Sequence, residues 1–178
     1  LEGRRPLVTE VQALVASTSA PMPRRTAQGL DPGRLAILVA VLERRSRIAL
    51  SGQDVFAATV GGVRLTEPAG DLAVCLALAS AARDWEVPSE LVAFGEVGLG
   101  GEVRPVPQLP RRLAEAARLG FRRALVPAGA DARADALAVV EVDSVTHALS
   151  ILLASGRGTA RPGRPPAGAA SPSPGSHR

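Results

Sequence analysis

The chain has 178 residues, of which 46% are hydrophobic and 2% are aromatic, which fits one globular domain and excludes a fibrous or wholly disordered chain. All 21 basic residues are arginine, so mechanisms that need a lysine amine are excluded, including a P-loop, a Schiff base and a Ser-Lys dyad. One cysteine and two histidines are too few for a structural zinc site, which takes about four such ligands. No segment reaches the roughly 18 apolar residues of a membrane span. A lone thiol favours a reducing, cytoplasmic setting.

The net charge of +4 comes from the end of the sequence. Four arginines and no acidic residue follow Ser155, while the other 17 arginines balance 17 acids in residues 1–154. We therefore predict a domain over residues 1–154 and a disordered tail, rich in proline, glycine and alanine, over residues 155–178. The tail could contact nucleic acid, but a solvated extension is the simpler interpretation. Because the first residue is leucine, we expect the chain to be a piece of a longer protein.

Hydrophobic periodicity predicts strands and helices in mixed order, with no internal repeat. The predicted strands are residues 7–16, 54–61, 91–96, 103–106, 124–126 and 138–142, and the predicted helices are residues 32–45, 72–79, 110–119 and 143–152. Residues 17–29 are rich in proline and predict a loop, and Asp31 with Pro32 is a favourable helix start. The second helix is apolar on every face and should be central. Several strand pairs look joined by hairpins, so the predicted fold class is α+β.

Asp143, Ser144 and His147 contain the residue types of a hydrolytic triad. On one helix, however, such close neighbours rarely align a base on a nucleophile. Capping of the last helix by Asp143 and Ser144, with His147 as a surface residue, is the better explanation.

The glycine run at residues 98–101 is flanked by Glu96 and Glu102, which could act as paired carboxylates. A solvated hairpin with two incidental acids explains them better. The run lacks the lysine and the following helix of a phosphate loop. Cys75 lies on the apolar stripe of the second helix and is interpreted as a buried structural thiol.

Arginine doublets are the remaining signal in the composition. They are Arg4-Arg5, Arg24-Arg25, Arg44-Arg45, Arg111-Arg112 and Arg122-Arg123. Guanidinium groups bind phosphate well, but the scarcity of aromatic residues removes the stacking surface of a single-strand binder. Each doublet taken alone is better explained as a solvated face, so composition and spacing predict only a cytoplasmic α+β domain.

A series of ordered motifs resembles one known family. The motifs are Gly61-Gly62-Val63, Gly70-Asp71-Leu72-Ala73, Phe94-Gly95-Glu96-Val97-Gly98-Leu99-Gly100-Gly101-Glu102-Val103-Arg104-Pro105-Val106, Glu115-Ala116-Ala117, Gly120-Phe121-Arg122-Arg123-Ala124 and Pro127, with further matches in residues 2–15 and 23–38. Over about residues 2–154 the chain resembles the C-terminal domain of the RadA (Sms) family of bacterial DNA repair proteins. The resemblance implies a fold similar to the proteolytic domain of Lon proteases. It also implies that the zinc finger and the RecA-like ATPase of the family lie outside this chain.

The same resemblance places the Lon catalytic dyad on two residues that lack its chemistry. Lon proteases use a serine in a Pro-Ser-Ala-Gly segment before a helix, and a lysine that opens a helix after a Gly-Glu hairpin. Here Pro68-Ala69-Gly70-Asp71 puts Ala69 at the serine position, and counting from Gly95-Glu96 puts Pro110 at the lysine position. Alanine supplies no nucleophile and proline no base, so the resemblance implies a catalytically degenerate domain that is not an enzyme.

The family resemblance also implies a role and partners. It implies a homo-oligomeric ring, a hexamer, that contacts double-stranded or branched DNA while the parent ATPase drives branch migration of recombination intermediates. Recombinase filaments are a further expected partner, no membrane is expected, and the expected location is the bacterial cytoplasm at the nucleoid. No cofactor is expected in this chain, because ATP, magnesium and zinc belong to upstream domains of the family. The candidate DNA contacts are Arg24, Arg25, Arg104, Arg111, Arg112, Arg122 and Arg123.

Two other classes of function stay open. A protein-interaction and oligomerisation domain without DNA contact would lack salt-dependent affinity for a duplex. Related folds also host small-molecule kinases, but the absence of a phosphate loop and of any lysine argues against that enzyme class.

Overall fold

The computed structural model describes residues 7–130, 134 and 136–156. Within them, helices and small sheets mix in an order compatible with the predicted α+β class. The elements are β1 (Val11–Ser17), β2 (Arg25–Gln28), α1 (Pro32–Ser46), β3 (Gln53–Thr59), α2 (Asp71–Arg83), β4 (Leu91–Ala93), β5 (Glu96–Val97), β6 (Val103–Arg104), α3 (Leu109–Arg118), β7 (Arg123–Pro127), β8 (Ala138–Val142) and α4 (Val145–Gly156). Apart from the end of α4, the predicted tail over residues 155–178 lies outside the described residues. No helix in the described part of the chain is long and apolar enough to cross a membrane.

α1 begins where the sequence predicted. The Asp31 carboxylate accepts a hydrogen bond from the Arg34 N–H at 2.6 Å, and Pro32 occupies the first position, where a backbone donor would have no partner within the helix. The helix ends at Ser46, and Arg47 follows in the left-handed conformation with φ 55°. The predicted Asp-Pro start is confirmed.

α2 is the central helix, as its apolar composition predicted. Seven of its 13 residues are buried, Cys75 and Leu78 completely. The helix packs against β1, α1, α4 and β5, so apolar residues are accommodated on nearly every face. Its buried side chains belong to the larger of two hydrophobic clusters, which joins α1, α2, α4 and β3.

The strands form three small sheets. In the first, of order β1-β3-β2, β1 is antiparallel and β2 parallel to β3. The second, β4-β7-β8, is parallel throughout, and the third is the antiparallel pair β5-β6. Among the described strands only β5-β6 is a hairpin, so the expectation of several hairpins was wrong. Parallel neighbours need crossover connections, and α1 and α3 lie in two of these.

β2 is a strand where the sequence predicted a loop over residues 17–29. Its four residues pair in parallel with residues 55–58 of β3. The prolines at positions 21 and 23 precede the paired segment and Gly29 follows it. The pairing with a distant strand therefore outweighs the turn signals that surround β2.

The predicted strand over residues 91–96 is divided between two sheets at Gly95. The Gly95 N–H donates to the carbonyl oxygen of Ala69 at 3.0 Å, and its own carbonyl oxygen accepts the N–H of Leu72 at 3.1 Å. A Cβ atom at Gly95 would lie 2.5 Å from Cγ1 of Val103. The close approach of Val103 in β6 to this bend therefore requires glycine.

Candidate functional site

Ala69, to which the family resemblance assigns the Lon serine position, lies in the short 3₁₀ turn Pro68–Gly70 that leads into α2. Its side chain is buried in the second hydrophobic cluster, which also contains Phe94 and Leu109. The hydrogen bond from Gly95 to its carbonyl oxygen holds the turn against the segment between β4 and β5. The position thus presents a methyl group among apolar side chains.

α3 brings the second dyad position to the same region. Pro110 is the second residue of α3 and is exposed, while its neighbour Leu109 shares a cluster with Ala69. Two residues later the buried Arg112 forms an ion pair with Glu67. This ion pair joins the segment before α2 to the first turn of α3, so the two segments that the resemblance assigned to the dyad are in contact.

A second ion pair, which the sequence analysis missed, fastens the start of α2. Asp71 is only 4% exposed, and its carboxylate accepts hydrogen bonds from Nε of Arg34 and from the N–H of Val97, each at 3.1 Å. Arg34 also donates to the carbonyl oxygen of Val97 at 2.7 Å. The hydrogen bond to Asp71 raises the pKa of Arg34, against the opposing effect of burial. One feature of the sequence could have indicated this ion pair: Asp71 is an acid at the first position of a largely apolar helix, where a buried charge needs a partner.

A groove of about 1580 Å³ opens beside Ala69. Its lining includes Ala73 and Ala77 of α2, together with β1 and β4, which are edge strands of two different sheets. Leu7 and Leu119, each about half exposed, also line it. Apolar surface and strand edges are features of a protein-binding groove.

The two acids that flank the glycine turn share a partner. Nη1 of Arg104 lies 3.5 Å from the Glu96 carboxylate, and Nη2 of the same arginine forms an ion pair with Glu102. Backbone hydrogen bonds and the Arg104 guanidinium together lower the pKa of Glu102. Both carboxylates therefore act as charge partners of Arg104 at the surface of the hairpin.

Asp143, Ser144 and His147 do not have the geometry of a hydrolytic triad. The Ser144 hydroxyl donates to Asp143 at 2.8 Å and accepts the His147 N–H at 3.2 Å, while Nδ1 of His147 lies 3.2 Å from Asp143. The serine is thus bonded to the acid rather than to the imidazole. The hydrogen bonds from Ser144 and His147 lower the pKa of Asp143. Since α4 begins at Val145, Ser144 is the N-cap, and the prediction that the helix starts from Asp143 was one residue early.

Cys75 is completely buried in α2. Burial raises the pKa of its thiol far above the ordinary range, so its predicted burial is confirmed. Within the described ranges, no three His, Cys, Asp or Glu side chains cluster as metal ligands would.

Four of the seven candidate DNA contacts lie at three separate places. Arg24 precedes β2, Arg111 lies in the first turn of α3, and Arg122 immediately precedes β7; all three are exposed. Arg123, the first residue of β7, is half-buried. An accessible guanidinium is a requirement for binding phosphate, which the three exposed residues meet.

The other three candidates are engaged by the protein itself. Arg25 donates to the carbonyl oxygens of Leu50 and Gln53. Arg104 lies between two carboxylates, and Arg112 is 8% exposed and paired with Glu67. These contacts give each residue a structural role, and their contact with DNA stays a prediction.

The chain is similar to the DNA repair protein RadA of several bacteria. It is 56% identical over 127 residues to the protein of Salmonella typhimurium and 55% identical to that of Escherichia coli, covering 71% of this chain and 28% of each relative. The protein of Mycobacterium tuberculosis is 45% identical over 161 residues, covering 89% of this chain and 34% of the relative. No protein-family model matches the chain.

The chain spans roughly a third of the length of the curated relatives that it matches, 28–34% in these three. The matched residues include the segments around Ala69 and around the glycine hairpin, on which the family resemblance was based. At this identity, over most of the chain, the predicted family is confirmed. The chain belongs to the RadA family of DNA repair proteins and corresponds to a C-terminal portion of them.

Proposed function

We propose that this chain is the non-proteolytic, Lon-like module of a RadA-type DNA repair ATPase. In this role it scaffolds a hexameric ring and contacts duplex or branched DNA during branch migration of recombination intermediates. The similarity to proteins named as DNA repair proteins carries the proposal. ATP, magnesium and zinc would be held by parts of the parent protein outside this chain.

The contact between the two dyad segments supports a Lon-like fold. A Ser-Lys dyad needs its two segments side by side, because the base must reach the nucleophile. Here the Glu67–Arg112 ion pair and the shared burial of Ala69 and Leu109 join the corresponding segments. The two positions that the resemblance assigns to the dyad carry a buried methyl group, that of Ala69, and an exposed proline, Pro110.

The chemistry of Ala69 and Pro110 leads to a test of the non-proteolytic role. We expect no hydrolysis of casein or of a fluorogenic peptide, and none after Ala69→Ser, because no lysine remains to deprotonate the new hydroxyl. The assay is product release by protein taken through two successive chromatography columns. Hydrolysis that follows the protein peak through both columns would contradict the prediction, and the unsubstituted chain is its control.

Exposed apolar surface supports assembly into a ring. Leu14 of β1 is 60% exposed and Leu99 at the tip of the hairpin is 72% exposed. The groove beside Ala69 adds two edge strands to this surface. Assembly of several copies would cover such surface and would repeat each DNA contact around one axis, so that modest contacts add together.

The proposal is tested by the mass of the chain in solution, with and without duplex DNA. We expect self-association at micromolar concentration, together with duplex affinity that falls steeply as salt rises. A strict monomer over a wide concentration range would remove the ring from this portion of the protein. Absence of duplex binding at low salt would remove the DNA contact.

The groove favours a second candidate, a protein-interaction domain without DNA contact. Its apolar lining and two strand edges suit a polypeptide segment better than a nucleic acid. Self-association without duplex affinity at low salt is the result expected of this candidate.

A further inference from the structure

The C-terminal ends of α1 and α2 lie together and carry four exposed arginines, Arg44, Arg45, Arg47 and Arg83. We call this surface the basic end. Its two helices are joined there by a hydrogen bond of 2.9 Å from Nη2 of Arg83 to the carbonyl oxygen of Arg47. The four residues are therefore one surface, although 36 positions separate Arg47 from Arg83 in the sequence.

The hairpin and α4 border the basic end. Nε of Arg45 donates to the carbonyl oxygen of Leu99 at 3.4 Å, and the Thr146 hydroxyl donates to the carbonyl oxygen of Arg45 at 3.3 Å. The hairpin thus contacts the side chain of Arg45, and α4 holds its backbone. Arginines on a fixed backbone present their charge in a defined place.

No carboxylate of the described residues forms an ion pair with any of these four guanidinium groups. Glu43 is the nearest acid along α1. Its carboxylate accepts hydrogen bonds from the N–H groups of Leu50 and Ser51, at 3.4 and 3.0 Å, instead of pairing with an arginine of the basic end. Asp84 directly follows Arg83, Glu43 directly precedes Arg44, and Glu86 lies three positions after Arg83. Four arginines against these three acids leave an excess of one positive charge, so the surface is distinguished by guanidinium groups that lack a carboxylate partner rather than by its total charge.

Stabilisation of the two helices explains only part of this clustering of arginines. Cations at a helix C-terminus stabilise the helix through its dipole, and Arg44, Arg45 and Arg83 lie in the last turns of their helices. The dipole effect does not hold the guanidinium groups in place, however. Arg45 and Arg83 each donate to one carbonyl oxygen, which leaves their charge uncompensated, whereas Arg104 and Arg112 are paired with carboxylates. Other exposed arginines of the described residues also form no ion pair, but the basic end brings four of them together, whereas the others are Arg24, Arg64, Arg111 and Arg122.

We propose that the basic end binds the phosphate backbone of duplex DNA, an inference that rests on the proposed function and assigns its contact surface. Guanidinium groups bind phosphate oxygens in a bidentate manner. The aromatic residue nearest in sequence, Trp85, packs against the core, so the surface offers no stacking platform for single-stranded bases. Binding is therefore directed at the backbone and is independent of base sequence.

The test compares two pairs of substitutions that remove the same charge from the 178-residue chain. Arg44→Gln with Arg47→Gln removes two arginines of the basic end. Arg64→Gln with Arg118→Gln is the matched control and removes two exposed arginines elsewhere that are not among the candidate DNA contacts. The probe is a blunt duplex of mixed sequence, titrated at several salt concentrations, and circular dichroism checks that each variant is folded.

The expected result is a change in salt dependence confined to the first pair. The slope of log affinity against log salt should fall by about two for the basic-end variant, since each lost phosphate contact lowers it by about one. The control should keep the slope of the parent, and so should Arg44→Lys with Arg47→Lys, which preserves the charge. Each single Arg→Gln substitution should lower the slope by about one, so the test does not depend on the folding of the double variant.

Failure of this inference is distinct from failure of the proposed function. If the parent chain has no salt-dependent duplex affinity, the proposed DNA contact is wrong, and so is its assignment to the basic end. If the parent binds but the control loses as much slope as the basic-end variant, or more, the DNA contact stands and the basic end is not its surface.

Discussion

Three polar side chains are buried among the described residues, Thr59, Asp71 and Arg112. Each is bonded: the Thr59 hydroxyl donates to the carbonyl oxygen of Val63, Asp71 pairs with Arg34, and Arg112 pairs with Glu67. Burial of an unpaired charge costs several kcal/mol, so such residues survive only with partners. The two acids of these ion pairs lie on either side of Ala69. Two ion pairs therefore hold the backbone around the position that the family resemblance assigns to the Lon nucleophile.

The first prediction concerns Asp71. Asp71→Asn should lower the free energy of unfolding by about 2–4 kcal/mol, because it leaves the Arg34 charge partly buried without its partner. Arg34 retains some exposure, 31% of its side chain, which keeps the expected cost at the lower end of the range for buried pairs. Urea unfolding at neutral pH measures the change.

Arg118→Gln is the control for this prediction, because it breaks the exposed ion pair with Glu115 within α3. That substitution should leave the free energy of unfolding nearly unchanged, because solvent screens an exposed ion pair. Equal effects of the two substitutions would show that Asp71 has no special role at the start of α2.

At the level of the elements, helices were easier to predict from the sequence than strand pairing. α1 follows from Asp31-Pro32, and α2 follows from its apolar faces, because both signals are local. β2 could not be predicted, since its four residues become a strand only through pairing with β3. The pairing of Asp71 with Arg34 likewise depends on contact between α1 and α2, which sequence spacing does not reveal.

The connection after α1 gives a prediction with a pH dependence. Glu43 of α1 accepts hydrogen bonds from the loop at Leu50 and Ser51, and these bonds, those from Ser51 first, lower the pKa of its carboxyl group. A lowered folded pKa means that the stabilisation is complete above the unfolded pKa of about 4.3 and is lost as pH falls through the folded value. Glu43→Gln should therefore be less stable than the parent at pH 7, by up to about 1 kcal/mol.

Urea unfolding at a series of pH values measures this difference, which should shrink below about pH 4 and vanish in stronger acid. Glu10→Gln, in an exposed segment before β1, is the control. A difference between Glu43→Gln and the parent that persisted unchanged into acid would show that the carboxylate charge is not responsible.

At the scale of the whole molecule, the position of charge matters more than its total. Outside residues 155–178 the arginines and acids are equal in number, 17 each. Ion pairs use part of this charge to hold elements together, as Arg34–Asp71 and Arg112–Glu67 do. The arginines that form no ion pair are unevenly distributed. The basic end carries an excess of positive charge on a domain whose net charge is zero. A domain with no net charge can therefore bind a polyanion through a local surface, because screening limits the range of each charge's interactions to about 8–10 Å at physiological salt.

The last prediction follows from that distribution and concerns the tail. Removal of residues 157–178 deletes four of the 21 arginines and no acid, and it leaves α4 complete to Gly156. Although the net charge falls from +4 to zero, the truncated chain should keep most of its duplex affinity and salt slope, because the arginines of the basic end remain. A full-length variant in which glutamine replaces the four tail arginines separates charge from length and should behave in the same way. Duplex titrations at several salt concentrations measure both proteins against the parent. Loss of binding in both, with binding intact in Arg44→Gln/Arg47→Gln, would make the tail the DNA-binding element.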